Sequence, residues 1–330
     1  MDIATQGIAG AAIAQAFAPA RHSRRAAIVG LLAGLLPDAD ALIYSASDPL
    51  LQLEYHRHFS HSLFFAPVGA AIVTLLLWVF FRSHLSRKQL YIFALCGYTS
   101  GGLLDACTSY GTHLLWPFSS DPIAWNLIAI VDPVFTAALA LPLLFGLRQN
   151  RPMRSGLVLA CVYLLFGWVQ HERAEVVAYD LAAARQHQPN QVIIKPTVGN
   201  LLLWRSVYTI GDSVYVDAVR VGNEPRVYNG QAAELFDLDR DLAWAPSTSR
   251  ARRDVERFSR FAIGYLALSP SRPYFLGDIR YAMLPTRIEP LWGIQLDPTN
   301  PQAPTLYQTQ RSLAPAVRDS FITMLLGRDF

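Results

Sequence analysis

Apolar and polar positions divide the chain into two unlike parts. Long uncharged runs fill the first 170 residues or so, and most charges follow them. Residues 63–81 hold no Asp, Glu, Lys or Arg across 19 positions, enough to cross the hydrocarbon core of a bilayer as a helix. Further apolar segments lie at 7–20, 26–44, 90–104, 134–147 and 155–170. The first is only 14 residues long, and the second is interrupted at Pro37-Asp-Ala-Asp40. The pattern therefore predicts an α-helical polytopic membrane domain over 1–170 with about four to six membrane helices.

Residues 171–330 follow a different pattern and predict a water-exposed α+β domain. A helix over 172–186 continues the last apolar segment, and 201–210 with 214–221 form a hairpin across Gly211-Asp212. Helices are expected over 254–268 and 311–326, with strands over 274–284 and 291–296 between Pro-rich turns. No internal repeat is present, and no His or Cys follows His187, which excludes a self-contained His metal site or Cys nucleophile over that stretch. Arg250, Arg252 and Arg253 read as a solvated face.

Loop charges orient the helices, because Lys and Arg are retained on the cytoplasmic side. The turns after the first, third and fifth segments carry Arg21, Arg24, Arg25; Arg82, Arg87, Lys88; and Arg148, Arg151, Arg154. The alternate turns carry only Arg57. This bias places both termini, and the 171–330 domain with them, outside the cytoplasm. No positively charged stretch precedes the first apolar segment, so no signal peptide is expected. Cys96, Cys107 and Cys161 show no CxxC spacing, which indicates neither a disulfide framework nor a zinc knuckle. With a net charge of +3, a nucleic-acid partner has little support.

The same topology gathers polar groups at one face. His56-Arg-His-Phe-Ser-His61 stands just ahead of the 63–81 run, Asp38 and Asp40 end the second segment, Asp105 ends the fourth, and Asp132 opens the fifth. Carboxylates near a bilayer persist where they pair, bind a cation or meet water. Imidazole beside carboxylate suits zinc, with manganese or iron accepting the same donors. His56 and His61 converge only if His56 lies in the entering loop, with Ser60 or Ser62 capping the helix that follows. Pro37 disfavours helical geometry at Leu36, ending the second helix and presenting Asp38 and Asp40 on irregular backbone. The competing reading for each carboxylate is a helix cap or an ion pair with Arg57, and Asp132 before Pro133 favours the cap.

The strings MDIATQGIAGAAI, LLPDADALI, HRHFSHSLFF, GGLLDACTSYGTHLLWPFS and AWNLIAIVDPVF resemble, in order over 1–147, the YdjM-like family of bacterial inner-membrane proteins named as metal-dependent hydrolases. LLWR at 202–205, with RYAMLP and PLWGI between Arg280 and Ile294, is similar to an extension carried by some members. The resemblance implies metal binding by Asp38, His56, His61 and Asp105, and a distant relation to zinc-dependent phospholipase C and single-strand nucleases. Three positions depart from the family pattern. Gly101 stands where a His is usual four residues before Asp105, His58 where Gly is usual between the two histidines, and His113 where Gln is frequent. His58 and His113 are therefore possible additional ligands.

Together these readings predict a membrane-embedded hydrolase of a phosphoester, or of another ester or amide, at the outer face of the cytoplasmic membrane. Asp38, His56, His61 and Asp105 hold a divalent metal, with Asp40 or Asp132 as general base. Membrane lipids or lipid-linked envelope intermediates are the substrates within reach. The alternative is a non-catalytic membrane protein with a structural metal site and an outer domain that binds a partner.

Overall fold

Asp2 starts the first helix because its carboxylate accepts the backbone N–H of Thr5 at 3.0 Å, satisfying a donor that the helix itself leaves free. The computed structural model describes residues 1–145, 150–311 and 314–329. In it α1 spans Ile3–Phe17 and packs on α2 (Ser23–Leu35) and, beyond the short α3 (Leu51–Tyr55) and α4 (Ala66–Phe81), on α5 (Arg87–Ala106). Glycine makes the seam among the three long partners. A Cβ added at Gly10 or Gly97 would strike the carbonyl oxygen of Gly30, so the backbones touch where any larger residue would hold them apart. Ala14, Ala26, Val29, Ala33, Leu90, Phe93 and Ala94 complete that core.

Two helices follow, α6 (Pro133–Phe145) and α7 (Asn150–Ala184). The end of the expected 134–147 segment and Arg148 lie outside the described residues, as does the side chain of Arg151.

The expected number of membrane helices is reduced by their lengths. Among the described residues one helix, Pro152–Ala184, is long and apolar enough to cross a membrane. Leu51–His61 and Ala66–Phe81 pass the same test only together, and they are bent by 86° at the break between them. The α1, α2, α4 and α6 helices, of 15, 13, 16 and 13 residues, reach only about 20–24 Å at the helical rise, short of a hydrocarbon core near 30 Å. α5 has 20 residues but includes Arg87, Lys88 and Asp105. Runs that read alike as apolar therefore serve two purposes: Ala- and Gly-rich α1 and α2 are largely interior, whereas α4 exposes Leu75, Leu76, Val79 and Phe80.

The chain forms two compact units. One comprises Met1–Ile43, Tyr55–Val169 and Val198–Asn200; the other comprises Tyr44–Glu54, Gln170–Thr197 and Leu201–Phe330. The second unit is sheet-rich and wholly antiparallel. Strands β1 (Val192–Pro196), β2 (Leu203–Ile210), β3 (Ser213–Val221) and β4 (Pro225–Tyr228) lie in that order, with β5 (Ala232–Glu234) also paired to β3. The hairpin expected at Gly211-Asp212 is the β2–β3 turn, with Ile210 opposite Ser213. After α8 (Leu238–Asp241) and α9 (Arg250–Phe261), a second sheet runs β6 (Leu266–Leu268), β7 (Phe275–Asp278), β8 (Trp292–Gln295), β9 (Leu306–Thr309), and α10 (Pro315–Leu325) closes the chain.

Two expected elements are shorter than their patterns. The helix expected over 254–268 stops at Phe261, because Ile263 and Gly264 take φ of +53° and +76° and send the chain into β6. The strand expected over 274–284 ends at Asp278, whose carboxylate turns back to accept the backbone N–H of Arg280.

Arg205, in the LLWR string, is 4% exposed. It donates to the carbonyls of Pro285 at 2.7 Å, Arg287 at 3.0 Å and Ile279 at 2.7 Å. It thus fixes the loop built from RYAMLP, and the strings singled out in sequence meet as one packing device. Beside it Arg280 and Asp278 form a bidentate pair at 2.9 and 2.7 Å, and buried Lys195 donates to Tyr281 Oη at 3.0 Å.

Candidate metal centre

Pro37 does not break helical geometry at Leu36, which keeps φ −67° and ψ −35°. It instead begins a 3-10 turn, Pro37–Leu42, placing Asp38 and Asp40 in its first turn. Neither expected serine caps α4, because Phe65 occupies that position without a side-chain cap. Ser60 Oγ donates to Asp40 Oδ2 at 2.7 Å, and Ser62 Oγ donates to the carbonyl of Trp116.

His61 is the hub. It is 2% exposed, held by a 3-10 turn at Phe59–His61. Its Nδ1 lies 3.1 Å from Asp40 Oδ2 and 3.1 Å from Ser60 Oγ. Its Nε2 then faces Asp105 Oδ2 at 3.1 Å and Asp38 Oδ1 at 3.3 Å. Neither His61 Nε2 nor Asp105 Oδ2 makes a hydrogen bond of acceptable geometry, although both are buried. Two carboxylates and an imidazole nitrogen in such proximity call for positive charge, which the Arg57 guanidinium and the Met1 amine supply to Asp105 from one side and which a metal ion or a proton on Nε2 would add on the other. Asp38, His61 and Asp105 offer ligand atoms within 4.8 Å of one another.

A second group joins the first through Asp38. Asp38, Asp40 and His56 also place ligand atoms within 4.8 Å of one another, with His56 Nδ1 2.9 Å from Asp40 Oδ1. Asp40 accepts further from the backbone N–H of Arg57 at 2.8 Å. It is thus occupied by both histidines, a serine and an amide, the arrangement that fixes imidazole tautomer and direction behind a metal ligand. Asp40, expected as a general base, is placed here against both histidines, Ser60 and the Arg57 amide.

Other expected residues are placed apart. Asp132 caps α6, accepting from the backbone N–H groups of Val134 at 3.1 Å and Phe135 at 3.0 Å, and Tyr163 Oη donates to it at 2.9 Å; of its two expected roles, the cap is the one this geometry displays. His58 and His113 face each other with ring centroids 4.6 Å apart, and His58 lies 5.8 Å from the Trp116 ring. They line up with an aromatic cluster rather than with the carboxylates. Burial, and secondarily the neighbouring His58, holds the His113 imidazole below its ordinary range. A third candidate group, His171, Glu172 and Glu175, lies along α7 and is half to fully exposed.

Gln6 and Arg57 belong to the centre although neither was expected there as a functional group. Gln6, on α1, donates to Asp105 Oδ1 at 3.1 Å and to Asp38 Oδ1 at 3.4 Å. A Cβ at Gly101 would lie 3.4 Å from Gln6 Oε1 and 3.2 Å from Pro37, so the glutamine carboxamide borders the space that a His there would enter. Arg57, at φ +59° and 3% exposed, sets Nε 3.1 Å from Asp105 Oδ2 and donates to Thr108 Oγ1 at 3.1 Å. The backbone nitrogen of Met1 also donates to Asp105. The signal for Gln6 was its place in the first family-like string; for Arg57 it was its position between the two histidines.

A family model described as YdjM inner membrane protein matches residues 1–174. The chain belongs to this family. Membrane location follows from that membership, and the residues gathered around His61 all fall within the matched part. Inner membrane protein YbcI of Escherichia coli (strain K12) is 31% identical over 110 residues, 32% of this chain and 62% of that protein. The chain thus spans less than two thirds of that relative's length. No solved structure matches the chain.

Proposed function

We propose that this family member is a membrane-embedded, metal-dependent hydrolase of a phosphoester, with a lipid head group or lipid-linked envelope intermediate as substrate. The observation that carries the reading is the convergence of Asp38 Oδ1, His61 Nε2 and Asp105 Oδ2, with His61 Nδ1 tied to Asp40. These three would hold the ion, and the donor set of one imidazole and two carboxylates fits zinc or manganese. A divalent ion bound there supplies Lewis acidity and lowers the pKa of water. Arg57 adds a fixed positive charge beside Asp105, suited to a phosphoryl oxygen. His56 is half-exposed and bonded through Nδ1 to Asp40, so it is the group placed to pass a proton between the centre and water. The orientation that puts the centre and residues 171–330 outside the cytoplasm rests on the Lys/Arg bias between alternate turns. Cysteine labelling in intact cells tests it, with exposed Ser120 and Glu224 expected to react and Ser83 to be protected; the opposite pattern inverts the orientation.

A second reading, a non-catalytic polar lock, draws on Arg57: its guanidinium already gives Asp105 a cationic partner. Elemental analysis of detergent-purified protein separates the two, together with a panel of phosphodiester, phosphomonoester and lipid substrates assayed with zinc and manganese. The hydrolase reading expects bound metal and an activity lost in Asp105→Asn and His61→Gln while the fold persists. Metal-free wild-type protein that is fully functional in cells would sink it.

A further inference from the structure

The two ligand-bearing turns of the centre are joined by one segment. Asp40 precedes it and His56 follows it, and the residues between, Tyr44–Glu54, belong to the second compact unit. Within that unit Arg257 on α9 grips the segment at both ends. It bonds Asp48 through Nη1 and Nη2 at 2.9 and 3.0 Å, and Glu54 through Nε and Nη2 at 2.7 and 2.9 Å. One planar guanidinium therefore holds two carboxylates, each in the bidentate geometry that lysine cannot reproduce. Arg250, seven residues earlier on α9, donates to the carbonyl of Ser47.

The helix that carries these arginines is itself fixed. Ser249 caps it by accepting from Arg252 N. Asp254, 3% exposed, accepts from Thr305 N at 3.2 Å and Oγ1 at 3.0 Å, and Ala251 N donates to the Pro301 carbonyl at 3.0 Å. Arg250 and Arg252 of the arginine run act as braces, Arg252 pairing with Asp239 at 3.0 Å, while Arg253 is exposed, as a solvated face requires. The Arg257 hydrogen bonds, above all, hold the Asp48 carboxyl below its ordinary range. Glu54 lies two residues from His56, whose neighbour Arg57 gives its backbone N–H to Asp40. Slack in 44–54 would thus reach the Asp40 hydrogen bonds that aim His56 and His61.

We propose that Arg257 is a positioning residue for the metal centre: by clamping Asp48 and Glu54 it sets the span between Asp40 and His56 and keeps both histidines in register with the carboxylates. The proposal rests on the metal-centre reading for its consequence, and on the clamp geometry alone for its existence.

Two readouts on full-length protein in detergent keep these apart: zinc affinity by chelator competition, and hydrogen exchange over 40–61. Arg257→Ala should weaken zinc binding about tenfold, as loss of an outer partner does, and speed exchange at 55–61, while the melting temperature moves little. Asp48→Asn with Glu54→Gln should reproduce both effects without adding to Arg257→Ala, and these also serve if the arginine variant fails to fold. Arg226→Ala, which breaks an exposed pair with Asp329, should change neither. If wild type binds no zinc, the metal reading fails and exchange alone decides the clamp. Unchanged exchange over 40–61 in every clamp variant, or unchanged zinc affinity in a wild type that binds it, overturns the proposal.

Discussion

Arg205 and Asp105 are both buried charges, and their surroundings differ in kind. Arg205 points its guanidinium donors at carbonyls of a single loop, next to an Asp278–Arg280 pair that closes on itself. Around Asp105 two more carboxylates and an imidazole nitrogen share the same few ångströms with the Arg57 guanidinium, the Met1 amine and the Gln6 amide. The first cluster uses its charges to hold a loop in place and needs nothing further. The second is arranged so that a cation among its acceptors lowers its energy. Burial penalises both, but only the second brings together carboxylates and an imidazole that could hold a metal ion.

If that contrast is right, the largest effect on stability belongs to the closed cluster. Arg205→Ala leaves several carbonyls unmatched and should cost about 3 kcal/mol, seen as a fall in the midpoint of thermal or denaturant unfolding. Asp105→Asn leaves Arg57 without its buried carboxylate and should also cost stability, but unlike Arg205→Ala it should abolish metal retention; equal metal retention in the two variants would erase the distinction between the clusters. A smaller effect is expected at Lys195. Burial first, and the nearby Arg280 charge second, hold this amine well below the ordinary lysine range. The folded state therefore binds fewer protons than the unfolded chain between the two pKa values, so wild-type stability should rise with pH up to the ordinary lysine range. Lys195→Met should remove that rise and, near neutral pH, stabilise the protein by about 1–2 kcal/mol. A wild type whose stability is flat with pH would show the amine to be ordinary. The smallest effect is at Asp132: Asp132→Ala should cost about 1 kcal/mol through the lost α6 cap and leave metal content unchanged. Loss of metal in that variant would return Asp132 to the centre.

The membership of the centre was legible in the sequence where polar residues stood at the ends of apolar runs, as with Asp38, His61 and Asp105. Their division of labour was not. Whether Asp40 or Asp38 faces His61 Nε2 depends on which carboxylate Ser60 and the Arg57 amide engage, a matter of turn geometry that spacing does not encode. The β2–β3 hairpin was legible through Gly211-Asp212, while β1, β4, β5 and β9 gave no alternating pattern long enough to find. Membrane helices were overcounted because alanine and glycine read as lipid-facing in sequence but, as Gly10, Gly30 and Gly97 show, serve helix contact. Arg257 meets Asp48 across 209 positions, and nothing local marks either residue.

The glycine seam makes the centre adjustable from a distance. Gln6 lies one turn from Gly10 on α1, and Asp105 lies eight residues beyond Gly97 on α5. A methyl at Gly30 on α2 would strike the Gly10 carbonyl and the Ala14 side chain of α1, so it would act as a wedge between α1 and α2 and push on the helix that carries Gln6 without altering that residue. Position 30 is therefore a place where evolution or design could shift the setting of the Asp38, His61 and Asp105 group while leaving every one of those residues unchanged.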